Sequence, residues 1–367
     1  MAYDTTTLDG ILAGLEGLTQ AQKMNIGNLI FTETFTHKNI KDTHPTMSEV
    51  RSGSKIPILE DNEDYGSFPF TEGNCTLPSC TITDNWSVHT WQLGQIGCEV
   101  TICMENFAND FMAFFNTWKK MNGDDIESAV VQFIVERFQS RHLKAEIRVA
   151  YFGDTASSDD LINGFDGFFV QLEAKSVTGV NHVVITENAE ATAALQTITD
   201  GEKIYEYLDK MYELAAQKAW FDPANMVWRL DRTLVQTLVG WLNRQSDLKG
   251  ISCDCVDPTK VTQARVFTWD NLSIFGIPVE AMPFLDAMKS IDELYNSVDG
   301  TFVNRNRIIL SRRENMILGY EIEDTLNRFK LGYDERKNEI YVQGASLFGA
   351  GVPKDSFILA TGVLVEE

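Results

Sequence analysis

Apolar residues recur along this chain at two spacings, and the switches between them mark its elements. Ile126, Ala129, Val130, Phe133, Ile134 and Phe138 repeat at helical steps. Asp124, with Glu127 three residues on, has the form of a capping box at the positive end of that helix. Arg137, Arg141, Lys144 and Arg148 load its later turns, where cations suit the dipole. The pattern predicts one helix over 124–151, about 40 Å long, which is long enough to support several elements. "FGDTASSDD" ends it. Further on, "GEKIYEYLDKMYELAAQK" reads as a helix, and so does "RTLVQTLVGWLNRQ", with Leu234, Val235, Leu238, Val239 and Leu242 on one face. "NMVWRL" between them reads as a short buried strand followed by Asp231 as N-cap, and "LSIFGIPVEAMP" as a strand stopped by Pro283.

Strand spacing dominates elsewhere. "NRIIL", "MILGYEI", "NRFKLGYD", "NEIYVQGASLFGAGV" and "FILATGVLVE" fill 300–367, with a hairpin-like turn in "YDERKNEIY". The glycines of "GASLFGAG" predict a turn or bulge. "KIPILED" and "CTITDNW" predict the arms of a long hairpin with an acidic tip, flanked by Trp86 and Trp91. A two-stranded hairpin is marginal alone, so this one must lie on its own core or on another subunit. Residues 1–33 suggest short helices, and 34–55 a polar, locally basic connector. Helix and strand alternate from 161 to 294, which makes the whole an α+β protein with a second, α/β-like unit.

Around "RIILSRRENMILGYEIED" the charges are sorted. Arg305, Arg307, Arg312 and Arg313 stand on one side, and Glu321, Glu323 and Asp324 on the other. A chain that has only to fold has no need of this arrangement. Overall, 53 Asp and Glu against 31 Lys and Arg leave a net charge of −22. Such a surface repels nucleic acid and anionic lipid. No basic segment precedes an apolar core at the start, so no signal peptide is expected, and no apolar run approaches a bilayer span. The six cysteines (Cys75, Cys80, Cys98, Cys103, Cys253 and Cys255) read as free thiols. A zinc site on the first four would need tighter spacing. The five histidines show no metal spacing, and no nucleophile or phosphate-loop motif is present. Asp154, Asp159 and Asp160 could hold a divalent cation but read better as turn residues. No cofactor, metal or catalytic residue is expected. The alternative from another class is a metal-dependent hydrolase using those three aspartates.

Four phrases, taken in order, resemble one family: "ICMENFANDFMAFFNTWKK", "IRVAYFGDTA", "FGIPVEAMPFLD" and "NRIILSRRENMILGYEIEDTLNRFKLGYDERKNEIYVQGASLFGAGV". The chain is similar over nearly its whole length to the major capsid proteins of tailed double-stranded DNA phages, the Hong Kong 97 fold, as found in Bacteroidetes and crAss-like phages. The resemblance implies an N-terminal arm (1–45), an extended loop (46–95) and a first peripheral part with a spine helix (96–175). An axial domain (176–298) and a second peripheral part (299–367) would follow. It implies a non-enzymatic shell subunit forming pentamers and hexamers around DNA, assembled in the host cytoplasm with scaffold, portal and auxiliary proteins. Encapsulin-type shells share the fold, and an encapsulin-type shell or another phage structural protein, such as a tail-tube or sheath subunit, is the structural alternative. Candidate contacts between subunits are Arg305, Arg307, Arg312, Arg313, Trp86, Trp91, Glu321, Glu323 and Asp324.

Overall fold

The computed structural model describes residues 26, 43–59, 86–103, 106, 110–117, 126–190, 192–249, 272–282, 285–286, 305–321 and 330–363. They fall into two compact units. The first takes the described residues of Met1–Ser54, Trp91–Phe168 and Ile317–Ala350, and the second those of Lys55–Thr90, Phe169–Met316 and Gly351–Glu367.

The first unit is a long helix with a five-stranded sheet. Helix α1 spans Ile126–Phe152. Asp124 and the side chain of Glu127 lie outside the described residues. The expected C-terminal cations stop short, because the last turn carries no basic residue. Glycine closes the helix instead. The Gly153 N–H donates to Val149 O at 2.8 Å, and a Cβ on Gly153 would stand 2.3 Å from the Phe165 carbonyl oxygen. The acidic turn beyond it is internally bonded: Asp154 Oδ1 accepts from Ala156 N–H, Asp159 Oδ1 from Leu161 N–H, and Asp160 Oδ1 from the Asn163 amide. These are the uses of aspartate in turns. His44 is buried, bonded to the Tyr151 hydroxyl and packed on Phe168, which fastens the entering chain to the helix end.

Strands β1 (Thr46–Ser48), β2 (Lys55–Leu59), β3 (Trp86–Thr90) and β4 (Gly94–Cys103) come before that helix. The C-terminal part of the sheet uses β10 (Ile317–Glu321), β11 (Lys330–Asp334) and β12 (Glu339–Gly351). Its order is β1-β10-β12-β11, with β4 paired to β12 as well. β4 runs antiparallel to β12 from Cys103↔Glu339 to Gly94↔Phe348. The segment "GASLFGAG" is therefore continuous strand, not the turn or bulge expected from its glycines. Gly349 is there for close approach: a Cβ would meet Gln92 O at 2.6 Å and Leu93 Cδ2 at 2.8 Å.

In the second unit β2 and β3 form the antiparallel base of the expected hairpin, from Lys55↔Thr90 to Leu59↔Trp86; its tip lies outside the described residues. The main sheet uses β5 (His182–Val184), β6 (Met226–Asp231), β7 (Ser273–Ile274), β8 (Ile277–Met282), β9 (Ile308–Arg312) and β13 (Phe357–Thr361). The order is β5-β13-β9-β6-β8-β7. Helices α3 (Gly201–Ala216) and α4 (Arg232–Lys249) cover one face; α2 is the short helix Phe168–Ala174. Ile204, Leu208, Met211, Leu234, Val235 and Leu238 form one core there with Trp228, Leu230, Leu310 and Ile358. Every residue of β6 is buried, as a strand covered on both faces requires. The Asp200 side chain caps α3.

Asp231 ends the strand directly before Arg232, the N-cap position expected for it, and Asp286 Oδ2 accepts from Thr233 N–H in the first turn of α4. One expectation changes here. "LSIFGIPVEAMP" is a tight hairpin, β7 to β8, because Phe275 and Gly276 both take positive φ, 54° and 77°. Two such residues make the turn whose twist matches a hairpin, and a phenylalanine in the first position hides it. The strands of 299–367 lie in both sheets: β9 and β13 in this one, and β10, β11 and β12 in the other.

Within the first unit, a Cβ on Gly319 would stand 2.8 Å from the Trp91 ring, whereas one on Gly97 would meet nothing within 4 Å. Gly319→Ala is expected to lower stability by about 1–3 kcal/mol through overpacking, with Gly97→Ala near neutral. Urea unfolding of both variants checks this; equal midpoints would refute it.

Candidate functional site

The sorted arginines lie at the ends of β9, where an edge between buried strand and surface lets long basic side chains fold back. Arg307 places its guanidinium 4.3 Å from the Phe169 ring centroid, and its Nε lies 3.3 Å from Glu173 Oε1. Arg312 donates from Nε and Nη2 to the Trp220 carbonyl at 3.2 and 2.8 Å. Arg313 is exposed, with Nη2 3.5 Å from Glu280 Oε1. Arg305 is half-buried and lines a small cavity with Asp231, Thr233 and Asp286. The interfacial role expected for Arg307 and Arg312 therefore meets a competing use inside the chain. Of the four, Arg313 has the most open head.

Behind Arg313 lies a group that sequence reasoning missed. Arg229, in the middle of β6, is buried; its Nη1 donates to Ser311 Oγ at 2.8 Å, and its Nε lies 3.4 Å from Glu280 Oε2. Register makes this pair: Arg229 and Glu280 stand opposite each other on parallel β6 and β8. The signal was present in "NMVWRL", where an arginine interrupts an otherwise apolar buried run. A charge there needs a partner. The arrangement sets two guanidiniums on one carboxylate. Burial pushes the Glu280 carboxyl above its ordinary range, against the opposing pull of Arg229 and Arg313.

The acidic block is placed only in part. Glu321 lies 3.9 Å from the exposed Arg51, in the first unit, whereas Glu323 and Asp324 lie outside the described residues. Trp86 pairs through its backbone with Leu59, and its side chain lies outside the described residues. Trp91 corrects an expectation. It is 1% exposed, its ring lies against Gly319, and its backbone bonds Ser54 O and Gly53 N. It closes the core of its own unit, so it offers no ring to a neighbour. Of the cysteines, Cys103 is a free thiol at the exposed end of β4. Among the described residues no group of three or more His, Cys, Asp or Glu could hold a metal ion, and no helix is long and apolar enough to cross a membrane.

No protein-family model matches the sequence, and no curated protein matches it. Solved structures do. A chain of the satellite phage P4 procapsid, which includes the size determination protein, aligns with a TM-score of 0.50 at 10% identity, over 93% of this chain and 91% of that one. A chain of Mycobacterium phage Ogopogo aligns at 0.49 and 10% identity, over 88% and 91%. A capsid chain of an empty GTA particle aligns at 0.46 and 13%, over 89% of both. The chain has the fold of phage capsid subunits, the Hong Kong 97 type, a mixed helix and sheet architecture matched over some nine-tenths of its length.

The position of Glu280 yields a pH signature. An acid whose folded-state pKa is raised contributes stability that is in place below the ordinary glutamate range and is lost as pH rises through the folded value. Glu280→Gln removes that slope. Its urea midpoint is expected to gain on the wild type as pH rises from the ordinary glutamate range upward. Midpoints that stay a constant distance apart across that window would count against it.

Proposed function

We propose that this chain is the major capsid protein of a tailed phage of the Bacteroidetes, crAss-like group, a shell subunit without enzymatic activity. The observation that supports it is the fold itself, aligned over almost the whole length of both chains with a procapsid component. In this reading 1–45 is the arm and 46–95 the extended loop, whose antiparallel base is β2 with β3. Residues 96–175 begin the peripheral domain around spine helix α1, 176–298 is the axial domain, and 299–367 returns to the peripheral domain. Because β9 and β13 share a sheet with β5, β6 and β8, that return also braces the axial domain.

Copies associate as hexamers and pentamers into an icosahedral shell in the host cytoplasm, with scaffold, portal and auxiliary proteins, and enclose double-stranded DNA without reading its sequence. The net charge of −22 supports a lining that does not grip a polyanion. Arg305, Arg313, Trp86, Glu321, Glu323 and Asp324 remain the proposed contacts between copies, with Arg307 and Arg312 contributing beyond their internal partners.

The test is electron microscopy of the purified protein, expressed with and without its scaffold, after size-exclusion chromatography. Rings, sheets or closed particles are the expected result, and a compact monomer at every concentration with scaffold present would overturn the reading. Arg313→Gln separates contact from fold. The exposed head should leave the circular dichroism melt within about 0.5 kcal/mol of wild type, the usual scale for a surface change, while particle yield drops. Normal particles would exclude Arg313 from the interface.

A further inference from the structure

Three polar side chains are sealed into the helix–sheet core of the first unit. His142 and Glu146 stand one turn apart on α1, 1% and 0% exposed, with Nε2 and Oε1 2.7 Å apart. Opposite them Ser346 of β12, also buried, brings Oγ to 3.2 Å from His142 Nε2 and 3.5 Å from Glu146 Oε1. Around Ser346 the same face of β12 presents Val342, Gly344 and Phe348, and the paired residue of β4 is Ile96. The other carboxylate oxygen, Glu146 Oε2, is buried without a hydrogen bond among the described residues. Removing two ionisable groups from water and leaving one lone pair unmet costs more than an apolar filling of the same volume. Stability does not account for the cluster.

Alignment does. The rest of the helix face is apolar, with Phe133, Ile134, Ile147 and Ala150 buried, and apolar packing has no direction of its own. A helix repeats about every 5.4 Å and a strand face about every 6.6 Å, so such surfaces can slip by one step and still bury carbon. The polar trio works against this. Sliding α1 by one turn brings Phe138 or Glu146 to the place of His142. Sliding β12 by two residues brings Gly344 or Phe348 to the place of Ser346, and neither has a side chain that can hydrogen-bond. The His142–Glu146 bond travels with α1, so what every slipped seating loses is the pairing of the Ser346 hydroxyl with His142.

We propose that His142, Glu146 and Ser346 form an alignment key that selects a single seating of α1 on β12, held at a cost in stability. The proposal goes beyond the shell reading and does not depend on it, since its test needs no assembly. In His142→Leu/Glu146→Leu/Ser346→Ala the denaturant midpoint should equal or exceed that of the wild type. Hydrogen exchange followed by mass spectrometry should then show two populations in peptides from α1 and β12 where the wild type shows one. Ser346→Ala alone, which leaves the helix pair intact, should also give two populations. His142→Leu alone should shift the unfolding equilibrium about a hundredfold or more towards the unfolded state, because it strands a buried carboxylate. A triple variant that unfolds at lower denaturant or fails to fold, or a Ser346→Ala variant with one wild-type-like population, would overturn the key.

Discussion

The first unit depends on one strand being paired along both edges. β12 gives ten consecutive residues to β4, pairs with β11 over Glu339–Gln343, and has β10 as a further hydrogen-bonded neighbour in the sheet. A backbone enclosed in this way has its N–H and C=O groups satisfied without water, so side chains on both of its faces can be buried. From Gly344 to Gly351 nearly every residue is. Small residues make this possible. The glycines that loosen a free chain here admit neighbouring backbone at distances a Cβ would forbid, at Gln92 beside Gly349 and under the Trp91 ring at Gly319.

In the second unit the same demand for satisfaction acts on side chains. The Asn188 side chain donates to the Asn306 carbonyl and accepts from its N–H, the Asn306 amide donates to Gln196 O, and Gln196 donates to the carbonyls of Asn188 and Glu190. These buried amides pin the chain as it enters β9. On the far side of that strand Arg229 is neutralised by Glu280 across the parallel pair. Arg313 is therefore the outer member of a charge system whose inner members lie in β6 and β8. Arg307 and Arg312 likewise have partners within the chain before any contact with another molecule is considered.

Periodicity made the helices legible, because Ile204, Leu208 and Met211, or Leu234, Val235 and Leu238, repeat at the spacing that one covered face imposes. The hairpin base and the turn at 334–339 were legible for similar reasons. Other features were not. The β7–β8 turn rests on a positive φ at Phe275, which no propensity favours. Whether a glycine marks a bend or a close approach depends on what passes it, and that is a tertiary fact. Trp91 looked available because its partner Gly319 is distant in sequence and has no side chain to advertise the contact. The fold class lay in the order of parts. The individual contacts did not, because burial decides which charges remain outside.

The parallel pairing of β1 with β10, in which Thr46 meets Leu318, has a consequence for synthesis. An early strand waits for a partner more than two hundred residues later, and β5 waits for β13, more than a hundred and fifty residues on. Neither sheet can close until β10 and β13 have left the ribosome. Contacts this remote are slow to form, and until they do the apolar faces and open strand edges are exposed to other nascent chains. The meeting of these distant strands is therefore the step that sets the pace of folding.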